Sequence, residues 1–489
     1  MTDYPFVPSD VARYRHMVSS ADSVMDEQTW NDLLLPAYSA ELARETSIFG
    51  QQELHRRLYA SSADEVSAST ARVRGLMADD TRRRQLQATV TDLRRADHEI
   101  SETLYGPALP SSPRWLPVLA WLPFAFLLSA GVALGMGWMP MWIVALVLCL
   151  TLCAIQVRYY EAVQQWGRIL DSTQLMLRVH SLLPWDDAAQ AGKLNRRLSR
   201  SLMAAMPGVA DYSDWLFLQN VRHYFRSRDV ARENIAFLRA SFERVATLDA
   251  DLALARHLSR TAHCWAAQGD AVEMAQVVHP LLADASALDF GMREQGVFIS
   301  GQNGVGKSTL LRTVGLNLIT ARAFGFCYAA HAVTPQLPVY SSMQNEDALG
   351  AGESFYMAEL RRGQELLALS AQRPAIFIID EIFRGTNYLE SVSAAAAVLH
   401  TLAEQGRVVV ASHHLVLASL LSDCLQPWCV RREGVAWQLT PGLLHDTNGI
   451  ALLEERGFCS AITTKANRVH TWLSDYLAHP EDLALISLN

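Results

Sequence analysis

Between residues 115 and 157 the chain contains not one Asp, Glu, Lys or Arg, and no other stretch restricts its fold as tightly. A helix needs about 20 apolar residues to cross a bilayer, so this run is too long for one span and suits two. Gly135, Gly137 and Pro140 lie near its middle and supply a turn. The stretch from Trp115 to Gly135 would measure about 31 Å as a helix, and the one from Met139 to Val157 nearly as much. Trp115, Trp121, Trp138 and Trp142 stand where interfacial aromatics would sit. Arg94, Arg95, Arg114, Arg158 and Arg168 flank the two ends, which places that side in the cytoplasm. The competing reading is a buried helical hairpin in a soluble core, although core helices seldom exclude charge from every face over such a length. Gly131 and Gly135 make a single GxxxG spacing, weak ground by itself for helix dimerisation. The expectation is a two-span, multi-pass membrane protein with the parts on either side of the hairpin in the cytoplasm.

Before this run, from about residue 11 to 104, apolar residues recur three and four apart. They run through Trp30, Leu33, Leu34 and Tyr38, and again through Val73, Leu76, Leu86, Val90 and Leu93, as in a packed helical domain. Helical periodicity returns from 164 to about 276, with Arg196, Arg197, Arg200, Arg222, Arg226 and Arg228 on polar faces. Such arginines either form a solvated face or line an anionic surface. The net charge of −8 argues against a surface given over wholly to nucleic acid and says nothing of a local basic groove. The 7 cysteines form no CxxC pair and no zinc-spaced cluster, which fits a reducing compartment. Residues 1–10 lack the basic and then apolar pattern of a secretory signal.

From residue 277 short apolar runs alternate with helical segments. The runs at 296–300, 375–379 and 408–412 read as parallel strands covered on both faces of an α/β domain. The expected fold class is therefore an all-helical N-terminal part interrupted by a transmembrane hairpin, followed by an α/β domain. Its expected order is 1–114 helical, 115–157 hairpin, 158–276 helical, 277–460 α/β and 461–489 helical tail.

Gly301-Gln302-Asn303-Gly304-Val305-Gly306-Lys307-Ser308 follows the first strand and opens a helix at Thr309, matching a P-loop in its proper context. The glycines let backbone amides close on phosphate oxygens, the helix N-terminus adds its dipole, and Lys307 reaches the terminal phosphates. Ser308 would hold magnesium. Gly301, Asn303, Gly304, Gly306, Lys307, Ser308 and Thr309 are thus the candidate ATP contacts. Of the 42 basic residues only Lys193, Lys307 and Lys465 are lysines, and one of them stands here. Residues 376–381 form an apolar strand ending in Asp380 and Glu381. In nucleotide hydrolases the first such acid binds Mg2+ through water and the second polarises the attacking water. Ser412-His413-His414 closes the next strand, where His413 is either a γ-phosphate sensor or a satisfied polar residue.

Together these residues resemble the MutS family of DNA mismatch-repair ATPases, which are ABC-type P-loop proteins. His279-Pro280 precedes the P-loop strand as in the family's "HP" entry, and Asn303 lies inside the loop. Glu353-Ser354-Phe355-Tyr356-Met357-Ala358-Glu359-Leu360 is similar to its "STFMAEM" segment, with Ser354 on the serine. Arg384-Gly385-Thr386-Asn387 follows the acidic pair as in "DE..RGT", and Ser412-His413 sits on the "TH" switch. Asn448-Gly449-Ile450-Ala451 is similar to the segment that closes the domain. Upstream, 26–33 and 45–52 look like the opening of the MutS core helical domain, and 248–253 like its closing helix. The resemblance is strong over 277–458 and patchy but ordered over 25–100 and 235–276.

The resemblance implies a head-to-tail homodimer through the ATPase domains, with Ser354 meeting the γ-phosphate held by the partner subunit's Lys307. It also has limits. The core likeness starts near residue 25, leaving no room for mismatch-binding and connector domains, and no Phe-x-Glu wedge lies near the N-terminus. The hairpin enters near the point where the family's lever and clamp would emerge. The expected protein is a membrane-anchored MutS-like ATPase that couples hydrolysis at composite sites to rearrangement of its helical arms. Duplex DNA stays open as a partner, while the missing wedge and clamp count against mismatch reading. The alternative is a mismatch-repair or DNA-damage-sensing protein that binds mismatched duplex DNA in an ATP-dependent way. An ABC transporter half would need an LSGGQ-type signature and about six spans, and an inactive scaffold would not keep Lys307, Ser308, Asp380 and Glu381 together.

Overall fold

The structure is a computed structural model that describes residues 5–18, 25–200, 214–283, 285–343, 355–433, 436–444 and 448–478. The chain divides into two compact units. One comprises Met1–Asp22, Ser39–Ala60 and Ser67–Arg260, and the other Ser23–Tyr38, Ser61–Val66 and Thr261–Asn489.

The first unit is helical. Ile48–Tyr59 packs along Ile235–Leu258, with Phe49, Leu58, Phe242 and Val245 fully enclosed between them. Ser47 caps the first of these helices, and its amide and hydroxyl both donate to buried Asp249, at 3.0 and 2.5 Å. A Cβ at Gly50 would lie 2.6 Å from that carboxylate, so the close approach depends on glycine. Two residues on, Asp251 accepts from Arg57 Nη1 at 2.7 Å, Ser69 Oγ at 2.9 Å and Arg72 Nε at 2.6 Å. The segments 45–52 and 248–253 thus meet through the buried Asp249 carboxyl group, and Asp251 ties the same helix to Arg57, Ser69 and Arg72.

The hairpin belongs to this unit. Leu116–Leu119 and Leu122–Met136 lead through Gly137, at φ +63°, into Met139–Leu182. The second arm was expected to end near 157, but it is one helix of 44 residues. Charged residues from Arg158 onward do not break a helix; the stop comes where Leu183 turns extended ahead of Pro184. Both arms are long and apolar enough to cross a membrane by length and composition, and only 22% and 11% of their apolar windows are buried. Trp121 and Leu134 are each 73% exposed, so the hairpin is not the core of this unit.

The second unit is α/β, as expected. Its six-stranded sheet runs in the order Ala436–Pro441, Leu425–Glu433, Gly296–Gly301, Arg407–Ala411, Ile376–Asp380, Val339–Ser342. All neighbours are parallel except the first pair. Val297, Phe298, Ile299, the apolar residues of 376–379 and Val408, Val409 and Val410 are completely buried, each contributing about 1.5–3 kcal/mol. A four-stranded sheet contains Ala267–Gln268, His331–Thr334, Val272–Val277 and Leu288–Met292.

Two boundaries differ from the sequence-based expectation. Strands begin at Cys264–Trp265, inside the stretch expected to be helical up to 276. Val272, Met274 and Val277 are buried and the residues between them are not, a strand-like pattern over a run of six residues too short to stand out. The helix Glu27–Asp32, expected in the helical domain, instead covers the edge strand Val339–Ser342. Thr29 Oγ1 accepts from the Ser341 amide at 2.8 Å, and the Asp32 carboxylate accepts from Ser341 Oγ at 2.8 Å and the Met343 amide at 2.9 Å. Arg362 Nη1 donates to Asp26 at 2.8 Å, tying the same helix to Phe355–Ser370.

Candidate active site

The P-loop strand Gly296–Gly301 is buried throughout, whereas Gln302, Asn303 and Gly304 are exposed before Lys307–Phe324 begins. Gly304 and Gly306 have φ of +73° and +100°, which turn successive amides toward one point. Ser308 and Thr309 occupy the first helical turn, half-buried. The Lys307 ammonium donates to Gly301 O at 3.0 Å and Gln302 O at 3.2 Å, and lies 3.3 Å from His413 Nε2.

Strand order explains the histidine's place. Arg407–Ala411 lies between the P-loop strand and Ile376–Asp380, so the residues just past its end fall between Lys307 and the acidic pair. His413 Nε2 stands 3.2 Å from Glu381 Oε1, and Glu381 Oε2 lies 2.5 Å from Arg384 Nη1. Glu381 has a left-handed φ of +56°, which turns it away from the strand that carries Asp380, and its amide donates to Ala411 O at 2.9 Å. The structure therefore joins Gly301, Lys307, His413, Glu381 and Arg384 in one polar chain, with Asp380 beside it. Ser354 lies outside the described residues.

Burial holds the Lys307 ammonium below its ordinary range, against the pull of Glu381 and Asp380. Burial raises Glu381; Asp380 adds to that rise, and Arg384 and Lys307 offset it. Burial, then Lys307 and Arg384, push His413 down to about 4, so its ring is neutral near pH 7. A neutral ring allows Nε2 to accept from Lys307 or to donate to Glu381, and never both at once.

Three contacts were not assigned from sequence. The Trp437 ring lies over Gly306, where a Cβ would come 2.4 Å from Cζ2. Glu359 accepts from the amides of Arg384 and Gly385, each at 3.2 Å, and so fixes the turn after the acidic pair. Asn448 brackets the P-loop residue Asn303, accepting from its amide at 3.0 Å and donating to its carbonyl at 3.4 Å. Only Asn448 and Glu359 stood within segments noted in the sequence, and nothing there marked Trp437. His279 is buried and pushed down to about 4 by burial and Arg312, while its Nδ1 accepts from the Leu281 amide at 3.3 Å. It secures a turn.

The donor set suits a magnesium nucleotide. Amides around two left-handed glycines match phosphate oxygens, and the Ser308 hydroxyl and Asp380 carboxylate are hard oxygen donors of the kind magnesium takes.

A sheet parallel but for one edge strand, whose glycine loop feeds a helix and whose lysine faces a strand-end acidic pair, defines a P-loop nucleoside triphosphatase. The sequence matches the family MutS domain V over residues 297–473. It is similar to the DNA mismatch repair protein MutS of Thermus thermophilus, 27% identical over 250 residues, which are 49% of this chain and 31% of that protein. It is also similar to an endonuclease MutS2 of Thermus thermophilus, 32% identical over 192 residues, covering 38% and 24%. A MutS of Thermus aquaticus is 29% identical over 202 residues, covering 40% and 25%. The matched part is thus under a third of the length of these relatives. The chain carries the ATPase domain of the MutS family, a P-loop ATPase, and shares the lineage of the mismatch-repair proteins.

Proposed function

We propose that this chain is an ATP-driven switch of the mismatch-repair lineage, held at the cytoplasmic face of a membrane by its 115–157 hairpin. The polar chain from Lys307 through His413 to Glu381 and Arg384 carries the ATPase part of this reading, and the charge-free, exposed hairpin supports its membrane part. Lys307 and the loop amides bind the ATP phosphates, and Ser308 and Asp380 hold magnesium. The metal, when bound, offsets negative charge on the phosphate oxygens. Lys307 exchanges the carbonyls of Gly301 and Gln302 for phosphate oxygens, which frees His413 Nε2 to take the tautomer that donates to Glu381. Glu381, raised by burial, is the carboxylate that polarises the attacking water once it leaves Arg384. Ser354 completes the site of a second subunit in a homodimer, and closure of that dimer moves the helical unit and its hairpin.

A second reading, an ATP-dependent protein of mismatched duplex DNA, is favoured by the names of the relatives. The comparisons bear on it more directly than on a membrane task. Binding of the detergent-solubilised full chain to matched and mismatched duplexes, with and without ATP across a salt series, separates the two. The membrane switch predicts no mismatch preference alongside intact hydrolysis. Tight, nucleotide-dependent preference for the mismatch would replace it with the repair reading. Salt-steep binding without preference would assign backbone contact to the arginines.

A further inference from the structure

A cleft of about 350 Å³ opens beside the base of the hairpin in the helical unit, and none of its lining residues belongs to the nucleotide site. One wall is apolar, made by Leu116, Pro117 and Ala120 where the charge-free run begins. The other is basic, made by Arg222, His223 and Arg226 of Gln219–Glu233, together with Arg200. Residues 219, 222, 223 and 226 recur three and four apart, so they share one face of the first turns of that helix, where its dipole also favours an anion.

The adjoining face of the helix fixes the depth at which the cleft lies. Leu218, Val221 and Phe225 form a buried cluster with Leu119 and Leu152 of the hairpin. Phe225 packs edge-on against Trp115 at 5.7 Å, and Phe217 lies 6.1 Å from Phe124. Side chains of the hairpin just beyond are open, with Trp121 73% and Leu128 70% exposed. The basic cleft therefore stands at the step from charged to apolar surface.

Its charges are available. Arg200 is paired with Asp214 at 3.1 and 3.2 Å, whereas Arg222 and Arg226 are exposed and, among the described residues, neither has a carboxylate partner. Burial, Arg200 and Arg226 push His223 down to about 4, so it remains a neutral donor or acceptor beside the guanidinium groups.

We propose that this cleft binds the headgroup of an anionic phospholipid. Arg222 and Arg226 ligate the phosphate oxygens, and the acyl chains follow Leu116, Pro117 and Ala120 onto the hairpin. The site rests on the membrane reading. A guanidinium pair matches phosphate geometry, and a pocket this small with one apolar wall fits a lipid headgroup better than the continuous backbone of a duplex. Arginines that the sequence leaves between a solvated face and an anionic surface thereby acquire a ligand.

The test uses the full chain reconstituted in vesicles of phosphatidylcholine, alone or mixed with phosphatidylglycerol. An alkaline carbonate wash reports whether the chain is embedded, and native mass spectrometry after mild detergent release counts the lipids retained. The wild type should stay with the vesicles and retain phosphatidylglycerol over phosphatidylcholine. R222Q/R226Q should stay embedded with an apparent phosphatidylglycerol affinity about 30-fold lower, the joint worth of two arginines at a membrane surface. R196Q/R197Q removes the same charge from exposed positions outside the cleft and should behave as wild type. Embedded protein with no phosphatidylglycerol preference, or equal loss in both double variants, would overturn the lipid site alone. Protein removed by the carbonate wash would overturn the membrane reading and the lipid site with it.

Discussion

Replacing Gly306 by alanine should damage nucleotide binding through two separable effects. At φ +100° an L-residue costs about 1–2 kcal/mol relative to glycine, or roughly 5- to 30-fold in binding if the loop must keep this shape. The new methyl carbon would also lie 2.4 Å from Trp437 Cζ2, 3.0 Å from Cη2 and 3.1 Å from Cε2. Carbon atoms settle at about 3.5–4.0 Å, so the indole must retreat by roughly 1 Å or the loop must shift. Trp437 is half-buried on the edge strand Ala436–Pro441, which gives it room to move. Titration of a fluorescent ATP analogue into the full-length G306A, W437A and G306A/W437A proteins separates the two effects. W437A should bind within a few-fold of wild type, and G306A should lose more than 30-fold. The double variant should recover only the steric share, keeping the roughly 5- to 30-fold backbone penalty. Wild-type affinity in G306A would refute the reasoning, because a phosphate-binding loop at this position could not then depend on its left-handed glycine.

Other outcomes follow from the same geometry. Ser354→Arg should leave nucleotide affinity within a few-fold of wild type and abolish turnover; normal turnover would remove the composite site. Glu359→Ala withdraws the acceptor of two amides behind the acidic pair and should lower kcat about tenfold with little change in ATP affinity, a split read from a single-substrate kinetic series. Burial pushes the Asp249 carboxyl up to about 6, so the folded chain keeps a proton there that the unfolded chain releases above about pH 4. Its contribution to stability is whole below that pH and is lost as pH rises through 6. Asp249→Asn should flatten this part of the Tm–pH profile, and an unchanged slope would assign it to other groups.

The parts legible in sequence were those whose pattern is local. The P-loop could be read because its strand, glycines, lysine and helix are contiguous, and the acidic pair because it ends an apolar strand. The hairpin showed through its missing charges. What escaped was set by partners far away in the chain. Nothing local to Glu27–Asp32 reveals that Thr29 and Asp32 bind the edge strand at Ser341. Nothing in the sequence marks Trp437, which reaches Gly306 from Ala436–Pro441, a strand paired to Leu425–Glu433, the neighbour of the P-loop strand. His413 gained its position from a strand inserted between the two that carry the recognised motifs. The second hairpin helix ran on to Leu182 because returning charge ends a membrane-compatible segment without ending a helix.

The most direct test of the ATPase assignment is steady-state ATP hydrolysis with magnesium by the full chain, its Lys307→Ala variant and its Glu381→Gln variant, alongside nucleotide binding by each. The account predicts hydrolysis by the wild type and loss of both binding and turnover in Lys307→Ala. Glu381→Gln should retain ATP in a trapped dimer, with turnover reduced about 100-fold or more. Turnover in Glu381→Gln close to wild type, or hydrolysis that survives the loss of Lys307, would contradict it.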